Sequence, residues 1–171
     1  MTRLIPLAAT AGLLALVAAG QARAAESCDA LTATVIRATG ASLAGRAGAG
    51  AVFRAADAER MSLDCRAPRR MVFGSLDREP SRAFFALIGQ AARALTGADP
   101  DAVEVLALTL HQASLLADAP RQGVVDRAAL RCETGPRDDS LAGTLTLCVL
   151  VPARPRAARR RIGLFAGAVA R

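Results

Sequence analysis

No lysine, tryptophan or tyrosine occurs in the 171 residues of this chain, and five phenylalanines make up its aromatic complement beyond one histidine. The shortage of rings argues against a nucleic-acid surface, which needs aromatic faces between its cations. The missing lysine excludes a phosphate-binding loop in the glycine-rich stretch Gly45-Arg46-Ala47-Gly48-Ala49-Gly50, which also lacks the following Ser or Thr. With no lysine, all 22 basic side chains are arginine. Arginine's rigid fork suits carboxylate and phosphate recognition, but the accompanying wealth of alanine points rather to the codon bias of a GC-rich bacterial genome.

Other chemistries fail on spacing. No CxxC pair exists, so neither zinc nor thioredoxin-type redox chemistry finds its motif. No serine sits in a GxSxG setting: Gly74-Ser75-Leu76 lacks the second glycine, and Ser62, Ser81, Ser114 and Ser140 have neither. Asp138-Asp139-Ser140 supplies too few fixed oxygens for calcium and reads as a solvated turn. No metal and no cofactor is expected, and no internal repeat is visible.

What is present begins with an export signal. Arg3 precedes an uncharged run over residues 4–20, and Ala22-Arg23-Ala24 has the small-x-small form of a cleavage site. The run is short and alanine-rich for a membrane span, and no twin arginine precedes it. Residues 1–24 are therefore expected to be a secretory signal peptide, and 25–152 a single domain of periplasmic or secreted location.

The formal net charge of +7 belongs mostly to one end. Residues 25–152 carry 14 arginines against 15 carboxylates, whereas 153–171 carry six arginines and no acid. That last segment reads as a flexible tail, basic and then apolar. Arg154, Arg156, Arg159, Arg160 and Arg161 precede the uncharged run 162–170, a pattern able to lie on an anionic lipid or polysaccharide surface.

Cys28, Cys65, Cys132 and Cys148 are an even set in an oxidising compartment, so a disulfide framework is expected. The stretch 133–140 is rich in turn formers and lies between two apolar, strand-like runs. Folding it as a hairpin sets Cys132 opposite Cys148 and leaves Cys28 to pair with Cys65. Closing loops of these lengths contributes about 3–4 kcal/mol each on the chain-entropy model.

Hydrophobic periodicity supplies the elements. Residues 28–39 read as a helix capped by Ser27 and ended by Gly40. Residues 41–50 show little pattern, a loop or weak strand. Strands are predicted at 52–55, 61–66 and 70–76. A helix opens at Pro80, with Phe84, Leu87, Ile88, Ala91 and Leu95 on its apolar stripe, and Gly97 ends it. A second opens at Asp99-Pro100 and runs to about residue 118. Val103, Leu106, Leu110, Ala113 and Ala117 should face the core there, with Leu108, Leu115 and Leu116 widening that face. Strands at 127–133 and 144–151 close the chain, the last apolar on both faces and so interior to its sheet. The fold class is α+β: a small antiparallel sheet of about five strands, helices packed on one face, stapled by two disulfides.

Function is less legible. The only histidine, His111, shares a helical stripe with Glu104, Asp118 and Ser114. It could serve a small hydrolase as a general base. Seven residues along a helix is about 10 Å of rise, however, so neither carboxylate bonds it directly, and the stripe reads as the solvated side of an amphipathic helix. Arg66, Arg69 and Arg70, with Arg131 and Arg137, could line an anion site or keep a sheet edge soluble. The expectation is an exported, non-enzymatic binding or structural domain of the bacterial cell envelope, its partner an unidentified envelope component. Two alternatives are kept: a periplasmic hydrolase using His111 with Glu104 or Asp118, and a surface-associating protein docking through its arginine-rich tail.

Overall fold

A computed structural model describes residues 27–136 and 143–153. Helix α1 (Cys28–Thr39) starts where the Ser27 hydroxyl accepts the Ala30 N–H at 3.1 Å, and ends where Gly40 turns left-handed at φ 69°. Four strands follow as a meander: β1 (Ser42–Ala47), β2 (Gly50–Ala55), β3 (Ala58–Asp64) and β4 (Arg70–Ser75). Helices α2 (Arg82–Thr96) and α3 (Pro100–Ala117) cross to the other side of the molecule, where β5 (Arg121–Val125), β6 (Ala128–Pro136) and β7 (Thr144–Pro152) form a second meander.

The two meanders join in one antiparallel sheet of order β1-β2-β3-β4-β7-β6-β5. β7 returns to the middle and pairs with β4 (Phe73 opposite Cys148) and with β6 (Cys132 opposite Cys148). This central place is why its sequence is apolar on both faces: Cys148 and Leu150 are buried, while Leu145, Leu147, Val149 and Val151 are half-buried on the other side.

The helices cover one face only. Leu31 and Val35 of α1, Phe84, Phe85 and Ile88 of α2, and Val103 and Leu110 of α3 close over Phe53, Met61, Leu63, Met71, Phe73, Leu130 and Leu150. At about 25 cal/mol per Å² of apolar surface, this layer is the principal stabilising contribution. α2 and α3 approach closely at Gly89, where a Cβ would lie 2.4 Å from the Pro100 carbonyl oxygen.

The α+β class and the one-sided helix layer agree with the sequence reading, but the sheet has seven strands rather than about five. The two additional strands lie at its edges. β1 is exposed along nearly all its length, so it has no burial alternation to betray it, and its pairing with β2 alone defines it. β5 is five residues of mixed character, held by a two-residue turn at Asp126 and Arg127 that returns it onto β6. Pro80 precedes α2 rather than opening it, since Ser81 takes the cap position.

Both disulfides have the expected partners. Cys28–Cys65 ties the start of α1 to the end of β3, and Cys132–Cys148 bridges β6 and β7 inside the core with Cα atoms 4.2 Å apart. Two structural bridges imply folding in an oxidising, extracytoplasmic environment. Among the described residues no helix is long and apolar enough to cross a membrane. The signal peptide expected at 1–24 and the segment 154–171, with Arg154, Arg156, Arg159, Arg160 and Arg161, lie outside the described residues.

Candidate functional site

His111 is not on the solvated side of α3. It is 3% exposed, and Ser114, one turn on, is fully buried. Conversely, Leu108 and Leu116, expected to widen the buried face, are exposed, as are Ala117 and Val105. The sheet accounts for this reversal. α3 packs on β5 and β6, and that contact draws inward the stripe containing polar His111 because the strands offer it polar partners.

Those partners form a directed chain. A carbonyl can only accept, so the Thr146 hydroxyl donates to the Asp77 carbonyl oxygen at 2.8 Å. The Thr134 hydroxyl, 3.2 Å away, then donates to Thr146 Oγ1, and Thr134 Oγ1 accepts from His111 Nδ1–H at 3.1 Å. This order satisfies all three contacts and fixes the neutral ring as the Nδ1–H tautomer, leaving the Nε2 lone pair as its basic position. The Ser114 hydroxyl donates to the His111 carbonyl at 2.7 Å, and the Phe85 ring packs on the imidazole with centroids 5.3 Å apart.

Burial pushes the His111 pKa below the ordinary imidazole value. Glu79 works against that shift and Arg78 adds to it. Neither carboxylate weighed as its orienting partner is in place. Glu104 accepts from Arg82 Nε at 2.6 Å, and Asp118 ends α3 in a left-handed conformation. Asp118 lines a groove of about 370 Å³ with Pro120, Glu133 and Leu147 that His111 does not line. Of the serines weighed from the sequence, Ser75 Oγ accepts the Asp77 N–H, Ser81 stands at the N-cap position of α2, and Ser62 lies on the opposite face of the sheet. Asp138, Asp139, Ser140 and Arg137 lie outside the described residues. Among those described, no group of three or more His, Cys, Asp or Glu could hold a metal ion.

The face of the sheet away from the helices is a second locale. β-pairing fixes which residues share it. One row runs Val52, Ser62, Val72, Val149, Arg131, Gln122 from β2 to β5. A flanking row runs Arg60, Gly74, Leu147, Glu133 from β3 to β6, and on the other flank Asp64 lies opposite Arg70, and Val151–Ala129–Val124 continues the pattern. The Cβ of Arg60 lies over Gly74 beside Leu145 and Leu147, so the guanidinium stem completes the apolar band.

Three of the arginines considered together from the sequence meet here. Arg70 and Arg131 line a trough of about 420 Å³ with Ala129, Val149, Val151 and the exposed Val124, and Arg66 and Arg70 border a smaller depression of about 240 Å³ with Arg60 and Val72. Arg69 is half-buried and has an interaction of its own. Among the described residues, the two carboxylates on this face, Asp64 and Glu133, are taken. Asp64 accepts from Arg66 Nη2 at 3.0 Å with Arg70 Nε at 3.7 Å, and Glu133 accepts from Arg131 at 2.8 Å. The Arg66 hydrogen bonds hold the Asp64 carboxyl down at about 2.

Thr134 and Thr146 were not singled out from the sequence, although a signal for them existed. Once Cys132 faces Cys148 in an antiparallel pair, Thr134 must face Thr146 on the same side. No family model, curated protein or solved structure matches this chain.

Proposed function

We propose that this protein is an exported, non-enzymatic binding domain of the bacterial cell envelope and that the helix-free face of its sheet is its working surface. The observation that carries this reading is a half-buried band of valines and leucines bordered by arginines, on the face that three helices leave uncovered. Contiguous apolar surface rimmed by polar groups marks interaction sites on soluble domains. The signal-like residues 1–24 and the two disulfides support a periplasmic or secreted location.

The hydrolase alternative has less to recommend it. His111 lies in the core, its Nδ1 proton is committed to Thr134, and Glu104 and Asp118 are occupied elsewhere. A panel of chromogenic esters, phosphates and glycosides tests the choice. Turnover by the purified chain should not exceed that of His111→Gln, and turnover abolished by that substitution in a folded protein would replace the binding reading with an enzymatic one.

A further inference from the structure

The chemistry of the open face narrows the partner. We propose that it docks an acidic protein surface, apolar at its centre and bearing carboxylates at its margin. This inference rests on the binding-domain reading above and adds the class of partner.

Charge is the first ground. Among the described residues, Arg54, Arg60, Arg66, Arg70 and Arg131 lie on or border this face against two carboxylates, Asp64 and Glu133, each already bonded to one of those arginines. Among the described residues, Arg54 and Arg60 have no carboxylate within ion-pair distance. They stand on neighbouring strands, and the loss of hydration that docking imposes on them is offset where opposite charges meet them. A second copy of this chain would bring like charges together. The chain's own segment 153–171, with six arginines and no acid, carries the same sign.

Shape is the second ground. Val149 and Val151 are half-buried in a trough of about 420 Å³ that the exposed Arg70 and Arg131 also line, with Val124 exposed at its β5 edge. A bilayer takes up apolar side chains that protrude below their cations, whereas a recessed floor accepts side chains projecting from a partner. Seven strands at about 4.8 Å spacing, with about 20 Å along them, give a face on the order of 600 Å². Standard complexes bury about 800 Å² per partner, so the interface falls at the smaller, transient end.

The test is amide chemical-shift mapping on the ¹⁵N-labelled full chain. The probes are a dodecapeptide alternating glutamate and leucine, its lysine–leucine counterpart, and phosphatidylglycerol vesicles. The acidic peptide should shift amides of Val72, Val149, Arg131 and Ala129, bind at least tenfold more weakly to Arg60→Glu/Arg131→Glu, and weaken as salt rises. Arg54→Ala, an exposed truncation, should weaken binding severalfold if the double variant fails to fold. Equal binding of the lysine peptide, shifts confined to Val105, Leu108 and Leu116 on the outer side of α3, or no effect of the substitutions would overturn the proposal. Vesicles shifting the sheet face while the acidic peptide does not would assign it to lipid and overturn the protein partner. Failure of the underlying reading leaves a different mark, substrate turnover lost in His111→Gln.

Discussion

The two faces of one sheet share strands and register yet obey opposite rules. On the covered face even the hydrophilic groups are resolved: His111, Thr134 and Thr146 are linked in sequence to the Asp77 carbonyl, and no buried side-chain nitrogen or oxygen among the described residues lacks a partner. On the open face the Arg60 stem lies over Gly74, and among the described residues Arg54 and Arg60 have no carboxylate within ion-pair distance. The covered face therefore carries stability, and on the proposed reading the open face carries affinity. Substitutions on one should leave the property of the other nearly untouched.

The largest effect should come from the covered face. Phe73→Ala removes a fully buried ring and should cost about 3–5 kcal/mol in urea unfolding, whereas Val149→Ala, opposite Val72 on the open face, should cost about 1 kcal/mol. Comparable costs would break the comparison. His111→Ala comes next, at about 2 kcal/mol or more, because it leaves a cavity under Phe85 and strips Thr134 of its donor. A cost within about 0.5 kcal/mol would restore the solvated histidine expected from helix periodicity alone.

A third effect is smaller and depends on pH. The folded protein holds His111 below the value near 6.5 of an unfolded chain, chiefly by burial. As pH falls through 6.5 the unfolded state takes up a proton that the fold resists. Stability from this group is thus fully present above that pH and declines as pH falls toward the folded-state value. The urea midpoint should drop between pH 7.5 and 5.5, and the drop should flatten in His111→Gln.

The order of these effects bears on what the sequence disclosed. The helices were legible from caps and glycines because those signals are local: Ser27, Gly40, Asp99-Pro100 and Gly97 lie at or beside the observed ends. The disulfides were legible because turn formers between two strand-like runs leave few pairings. The edge strands β1 and β5 were not, since an exposed strand has no inside to alternate with. His111 was misplaced for a related reason. Periodicity ranks the faces of a helix by their own side chains, and α3 is apolar nearly all round, so Thr134 and Thr146 on strands far along the chain decide which stripe is buried. The open face appeared in the sequence only as scattered arginines; strand register brings Arg70 and Arg131 to one side, and Arg66, just past β3, joins Arg70 there.

The smallest effects should be on the open face and at the chain end. Arg60→Glu should change stability by no more than about 0.5 kcal/mol while altering acidic-peptide binding, and a larger loss would mean that the arginine rim is part of the fold. Removal of residues 154–171 keeps the Ala153 N–H bond to the Arg127 carbonyl and should move Tm by less than about 2 °C. If vesicle adsorption of the full chain is salt-sensitive and vanishes on that truncation, the tail is a second, lipid-directed contact independent of the sheet.

The Cys132–Cys148 bridge acquires a further meaning here. In a β-ladder a slip of one residue exchanges the two sides of a strand, sending every inward group outward. On β6 such a slip would put Arg131 and Glu133 into the core and Cys132 and Thr134 into water. A covalent bond between the directly opposed residues of β6 and β7 forbids that slip, and a two-residue slip as well. The bridge is thus a frame marker: oxidation at that one pair fixes which side of the protein displays its arginines.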